Sequence, residues 1–189
     1  MRVLARDVAG HVGEEITVQG WVHRIRELGG ISFVLLRDRS GMVQVVYEGG
    51  VEFSPESVVS VTGTAAENEK APTGYEVQQR STEVLAAAAA ELPISVNQDP
   101  EKLGIDAVLD NRIVSLRIPK IRHAFELQST IAHLFGEYLR SREFTEIKSS
   151  KLIGSGTEGG TGLFAVDYFG DKVFLAQSPQ FYKQAMVAS

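Results

Sequence analysis

The stretch Glu15-Ile16-Thr17-Val18-Gln19-Gly20-Trp21-Val22-His23 decides the fold of this 189-residue chain. Ile16 and Val18, then Trp21 and Val22, interrupt polar neighbours with the period of two that gives a strand one apolar face. Reading outward, Leu28-Gly29-Gly30 is a turn, and 31–36 is a second strand, apolar on both faces. Ser40-Gly41 is a tight turn, followed by a third strand at 42–47 and a fourth at 58–65, with Pro55 in the connector between them. The segments 75–79 and 82–85 read as a fifth strand, broken in the middle.

Five short strands within about 70 residues suggest a small closed barrel. The five-stranded OB-fold, which binds oligonucleotides on one face, has this size. Another small barrel or a sandwich fits the pattern as well.

Composition narrows the class. The chain is 43% hydrophobic and 23% charged, an ordinary soluble balance, with net charge -5. An acidic total argues against a general nucleic-acid coat but leaves room for a local basic patch. No apolar run reaches the ~18 residues of a membrane span, and the first ten residues do not read as a signal peptide. Cys is absent, which excludes disulfides, thiol catalysis and Cys-ligated zinc and fits a reducing cytoplasm. His11, His23, His123 and His133 are scattered, so no metal site is expected.

Beyond the strands the pattern changes. Residues 86–90 are an alanine run, a strand end leading into a linker through Glu91, Leu92 and Pro93. The polar stretch 97–111, with Pro100 and Gly104, reads as a hinge. Phe125, Leu127, Ile131, Leu134, Phe135, Tyr138 and Leu139 recur at helical spacing, so 121–141 is an amphipathic helix with Pro119 at its N-terminal edge. A short strand is expected at 144–148, a Gly-rich loop at 155–162 and a hairpin from 163–168 and 173–175 around Gly170-Asp171. Ser178 is the expected N-cap of a last helix with Pro179 at its first position. The domains are then 1–90, a linker at 91–119, and 120–189. The last region is a small sheet with few helices to cover it, a poor core by itself that reads as incomplete.

Three groups carry candidate chemistry. Arg24, Arg26, Arg37 and Arg39 lie in or beside the first two strands, interleaved with Trp21, Phe33 and Tyr47, while Gln44 lies on the neighbouring strand. Arginine contacts phosphate and aromatic rings stack on bases, which suits single-stranded nucleic acid; core aromatics and surface arginines are the plain alternative. An ion pair is expected within Arg37-Asp38-Arg39. In the Gly-rich loop, Glu158 could hold a cationic group, or the loop could be merely flexible; it is not a Walker A loop. Gln180 and Lys183 share one face of a helix start, where they could hold a carboxylate or simply face solvent.

Several strings together are more specific. They are Gly20-Trp21-Val22-His23-Arg24, Leu28-Gly29-Gly30-Ile31-Ser32-Phe33, Leu36-Arg37-Asp38-Arg39-Ser40-Gly41, Thr157-Glu158-Gly159-Gly160-Thr161-Gly162-Leu163-Phe164 and Leu175-Ala176-Gln177-Ser178-Pro179-Gln180-Phe181-Tyr182-Lys183-Gln184. In this order the chain resembles the archaeal-type aspartyl-tRNA synthetases, a class IIb aminoacyl-tRNA synthetase family. The resemblance implies an all-β, five-stranded OB-fold barrel that grips the anticodon, followed by an incomplete α+β class II synthetase catalytic region. It implies that Phe33 stacks on an anticodon base, that Gln44 reads one, and that Arg24 and the region of Arg37 contact the anticodon stem-loop backbone. It likens 121–151 to motif 1, the family's dimer interface, and the loop of Glu158 to the lid over bound aspartate. Glu158 would lie near the ammonium group, Gln180 and Lys183 would hold the aspartate, and Lys183 would face its side-chain carboxylate. Such a lysine argues against an asparagine substrate, whose amide carries no charge.

The resemblance also sets further expectations. His23 and Pro72 match two positions beside the third anticodon base, where enzymes restricted to aspartate tRNA resemble one another in carrying Trp and Lys. The form implied is the non-discriminating one, with both tRNA(Asp) and tRNA(Asn) as partners. Ser150 stands where motif 1 usually ends in Pro, which puts the homodimer in question. ATP and Mg²⁺ are the cofactors of the full-length family, but the sequence stops before motifs 2 and 3, so neither is expected to bind productively here and no aspartyl-adenylate is expected. ATP–pyrophosphate exchange above background would contradict that. The alternatives are a non-catalytic tRNA-binding paralogue or a decayed remnant.

Overall fold

Alternation in the first strands turns directly into a closed barrel. In a computed structural model, which describes residues 1–88, 92–156 and 162–188, β1 (Glu15–Leu28), β2 (Ile31–Arg37), β3 (Met42–Glu48), β4 (Val58–Glu67) and β5 (Tyr75–Ala86) follow in chain order. They close in the spatial order β1-β2-β3-β5-β4, with β4 returning to β1. All neighbours are antiparallel except β3 and β5, which run parallel. This is the OB-fold expected from the strand pattern.

The inward rows form the core. Ile16, Val18, Val22, Val34, Leu36, Val43, Val45, Val59, Val61 and Val77 are buried together, and their β-branched side chains suit a pleated, enclosed surface. An N-terminal 3-10 turn at Ala5–His11, absent from the sequence reading, adds Ala5 and Val8 to this cluster. Two glycines permit close packing. A Cβ at Gly20 would lie 2.5 Å from the Arg37 carbonyl oxygen, and one at Gly63 would overlap the Gln78 carbonyl oxygen. The β1–β2 turn uses Gly29 and Gly30, both at positive φ as a tight hairpin with right-handed strand twist requires.

Three expectations are corrected here. The fifth strand is continuous; its apparent break is a register shift where Thr62 and Gly63 face Ser81 and Gln79. The stretch 97–111 is not plain hinge, since it holds a 3-10 turn at Pro100–Lys102 and α1 (Ile105–Asp110), with α2 (Arg112–Ser115) directly after. Residues 144–148 form no strand; their β-prone composition meets no partner edge, and an unpaired strand has no ladder to hold it.

Contacts divide the chain into two compact units, Met1–Glu126 and Leu127–Ser189. Helix α3 (Pro119–Ser141) runs through the boundary. The second unit also contains β6 (Leu152–Ile153), β7 (Ala165–Tyr168), β8 (Asp171–Leu175) and α4 (Gln180–Val187). Its antiparallel sheet has the order β6-β8-β7, and β7 and β8 form the expected hairpin, with the turn at Phe169-Gly170. Ser178 is not the cap of α4: Pro179 occupies the N-cap and makes no side-chain cap bond. No described helix is long and apolar enough to cross a membrane.

Candidate nucleic-acid interface

Strand register assembles one outer face from residues far apart in sequence. Arg24 stands opposite Leu35 and Arg26 opposite Phe33 across β1–β2. Phe33 stands opposite Val46 and Leu35 opposite Gln44 across β2–β3. Gln44 aligns with Glu76, and Val46 with Gln78, across the parallel β3–β5 pair. The alternate residues Val34, Leu36, Val43, Val45 and Val77 point into the core, so Arg24, Arg26, Phe33 and Gln44 share the outside. Both arginines are exposed, while Phe33 and Gln44 are half-buried. An aromatic ring flanked by guanidinium groups on an open sheet is a platform for an unpaired base and its phosphates.

Gln44 is held in place. Its Nε2 donates to Glu76 Oε2 at 2.9 Å, and Asn68 Nδ2 donates to the same oxygen at 2.7 Å. Glu76 is buried. Gln44 keeps its amide oxygen and one N–H for a base edge. Sequence reasoning missed Glu76 and Asn68, since only the β3–β5 pairing reveals what they touch.

Arg37 is placed differently from its neighbours in the strings. It is buried, with Nη2 donating to Glu56 Oε2 at 2.9 Å and Nη1 donating to His23 Nδ1 at 2.9 Å. Its guanidinium carbon lies 6.0 Å from the centre of the Trp21 ring. The partner of Arg37 is thus Glu56 and not Asp38. Asp38 instead accepts from the backbone N–H groups of Ala5, Ser40 and Gly41 and from the Ser40 hydroxyl. Burial works to raise the Asp38 pKa, but these donors outweigh it and hold the carboxyl below its ordinary range.

His23 is buried where β1 shifts register between Val22 and Arg24. Burial first, and then the Arg37 charge, hold its imidazole below its ordinary pKa. A neutral ring suits the acceptor role that Arg37 imposes on Nδ1. Pro72 is exposed. It sits in the β4–β5 turn, which is closed by Asn68 N–H to Gly74 O at 2.9 Å and Gly74 N–H to Ala71 O at 3.0 Å.

In the second unit Gln180 and Lys183 lie on the first turn of α4, Gln180 half-buried and Lys183 exposed. Glu158 lies outside the described residues. Among the described residues no group of three or more His, Asp or Glu could hold a metal ion.

Comparison with known proteins agrees with this geometry. Residues 16–85 match the OB-fold nucleic acid binding domains, and residues 104–189 match the class II tRNA synthetases (D, K and N). The chain joins an OB-fold domain of the anticodon-binding type to part of a class II tRNA synthetase domain. It is 47% identical to the aspartate-tRNA(Asp/Asn) ligase of Thermus thermophilus, over 99% of this chain and 44% of that one. It is 42% identical to the ligase of the same name from Haloferax volcanii, over 94% of this chain and 43% of that one. The asparaginyl-tRNA synthetase of Pyrococcus horikoshii, solved with asparaginyl-adenylate, superposes with a TM-score of 0.89 at 29% identity, covering all of this chain and 45% of that one. The chain thus spans less than half the length of these relatives.

Proposed function

We propose that the barrel is the anticodon reader of an aspartate-tRNA ligase that accepts both tRNA(Asp) and tRNA(Asn), working in the cytoplasm. The observation that carries this is the gathering of Arg24, Phe33 and Gln44 on one outer face, with the Gln44 amide fixed by Glu76. Phe33 stacks on an anticodon base, Gln44 hydrogen-bonds a base edge, and Arg24 meets the backbone. Arg37 serves the same face from within, by holding His23 next to Arg24.

Relaxed choice between the two tRNAs has a physical reading. The two anticodons differ at the third base, C against U, and telling them apart takes a polar group that can separate an amino donor from a carbonyl acceptor. His23 is turned inward to Arg37, and Pro72 has no polar side-chain atom. Neither supplies that group.

In the second unit, Lys183 pairs with the side-chain carboxylate of aspartate, Gln180 supports it, and Glu158 meets the ammonium group. The described residues offer no cluster fit for Mg²⁺, so no step here runs through ATP or the metal. The apolar stripe of the 121–151 region, with Ile131, Leu134, Phe135 and Phe144 exposed, pairs with a second copy of the chain. Sedimentation velocity tests this, and a concentration-independent monomer contradicts it.

Fluorescence anisotropy tests the anticodon reading. The 189-residue chain is titrated with stem-loops bearing the aspartate, the asparagine and an unrelated anticodon at two salt concentrations. Both cognate loops should bind more tightly than the control, and all should weaken with salt as phosphate contacts are screened. Binding of the aspartate loop alone would overturn the dual specificity. Equal binding of all three would overturn the anticodon reading.

A further inference from the structure

The segment between the barrel and α3 is tied down within the first compact unit. Ile94, Val96, Val108 and Ile118 are buried. Ser115 is fully buried and donates its hydroxyl to the Val108 carbonyl at 2.8 Å. Asn97 Nδ2 donates to the His23 carbonyl at 2.7 Å.

The ionic tie is less ordinary. The Glu56 side chain is 0% exposed. Its Oε2 accepts from Arg37 Nη2 on β2 at 2.9 Å and from Arg117 Nη1, two residues beyond α2, at 2.7 Å. Its Oε1 is buried with no hydrogen-bond partner. The Glu56 backbone sits at φ 66, in the left-handed region that costs a side-chain-bearing residue strain. A buried carboxylate with a spare oxygen and a strained backbone is locally unfavourable. What the arrangement achieves is the meeting of two arginines from separate elements at one anion. Backbone bonds fix the meeting point, with Glu56 N–H donating to the Val22 carbonyl at 2.6 Å and Val22 N–H to the Ser57 carbonyl at 2.8 Å.

We infer that Glu56 is a positioning residue that fastens residues 104–118, the leading stretch of the class II match, to the barrel through Arg117 on one side and Arg37 on the other. The stretch is therefore a docked element of the barrel unit and not a free hinge. This holds whether or not the outer face binds RNA, because none of the three residues needs to touch a ligand.

Hydrogen exchange read by mass spectrometry on the 189-residue chain tests it. Arg117 is one-third exposed, so Arg117→Met leaves the barrel core intact. In this variant the amides of 108–118 should exchange about ten-fold faster or more, while those of β2 and β3 keep their protection. Arg117→Lys, which restores the charge, should recover most of the protection. Glu56→Gln should release the same stretch further, because both arginines lose their anion; if that variant fails to fold, the Arg117 pair decides. Unchanged exchange at 108–118 in Arg117→Met would overturn the inference. So would an equal loss of protection in β2, β3 and 108–118, or a failure of Arg117→Lys to rescue.

Discussion

Ile16, Val34, Val45, Val59, Val61 and Val77 of the barrel are all 0% exposed, whereas Leu127, Ile131, Leu134 and Phe135 on α3 are each more than half exposed. Both regions have the apolar period their structure needs. The strands roll up until their inner faces meet one another, so the barrel completes its core from its own sequence. The helix gains only a stripe from its period, and a stripe stabilises a helix once something packs against it. Among the described residues of the second unit none is buried, and Phe164, Phe169 and Phe181 stand exposed, with Phe174 half-buried. Periodicity therefore specifies an element and its apolar face, but not what will cover that face.

Charge pairs sharpen the contrast most. Arg37→Met leaves buried Glu56 without one of its two partners and should cost roughly 3–5 kcal/mol of stability. Lys148→Met, which removes an exposed pair with Glu146, should cost less than about 1 kcal/mol. Urea denaturation followed through Trp21, the single tryptophan, reads the first on the barrel. Circular dichroism reads the second. Equal small losses would break the distinction between an enclosed and an open unit.

Apolar deletions come next. Ile16→Ala should cost about 2–5 kcal/mol, while Ile131→Ala, at 58% exposure, should stay within about 0.5 kcal/mol in a monomer. A loss at Ile131 that grows with protein concentration would show that its stripe is covered by a second copy. Dye binding to exposed apolar surface should be strong at low concentration and fall as copies associate.

On the outer face, Phe33→Ala should weaken binding of the aspartate stem-loop by about 1–3 kcal/mol with little effect on folding. An unchanged affinity would remove Phe33 from the interface.

The smallest effect concerns acid. His23 is held below its ordinary pKa of 6.5 by burial and by Arg37. The folded chain thus binds fewer protons at this site than the unfolded chain, and stability rises with pH. It should fall as pH drops through about 6.5 and level off below the folded-state value. His23→Gln should flatten that slope in urea titrations at pH 7.5 and 5.5, and an unaltered slope would assign it elsewhere.

The barrel was legible in sequence because alternation and glycine turns act locally, and the helix through Phe125 and Leu139 was legible for the same reason. The strand expected at 144–148 failed because a ladder needs a partner that no local pattern supplies. The candidate site was legible in part. Arg24, Phe33 and Gln44 sit where strand positions put them, but Glu76 is tied to Gln44 only through a parallel pairing 32 residues away. Arg37 and Glu56 read as surface residues, an arginine at a strand end and a glutamate after a proline. Their burial depends on each other and on Arg117, 61 residues from Glu56.

The most direct test of the anticodon face is a stem-loop titration followed by amide chemical shifts of the isotope-labelled chain. The account predicts that the aspartate and asparagine loops shift the same amides, centred on Arg24, Arg26, Phe33, Gln44 and Glu76, and leave the core amides of Val61 and Ile16 in place. Shifts confined to the second unit, or spread equally by an unrelated loop, would contradict it.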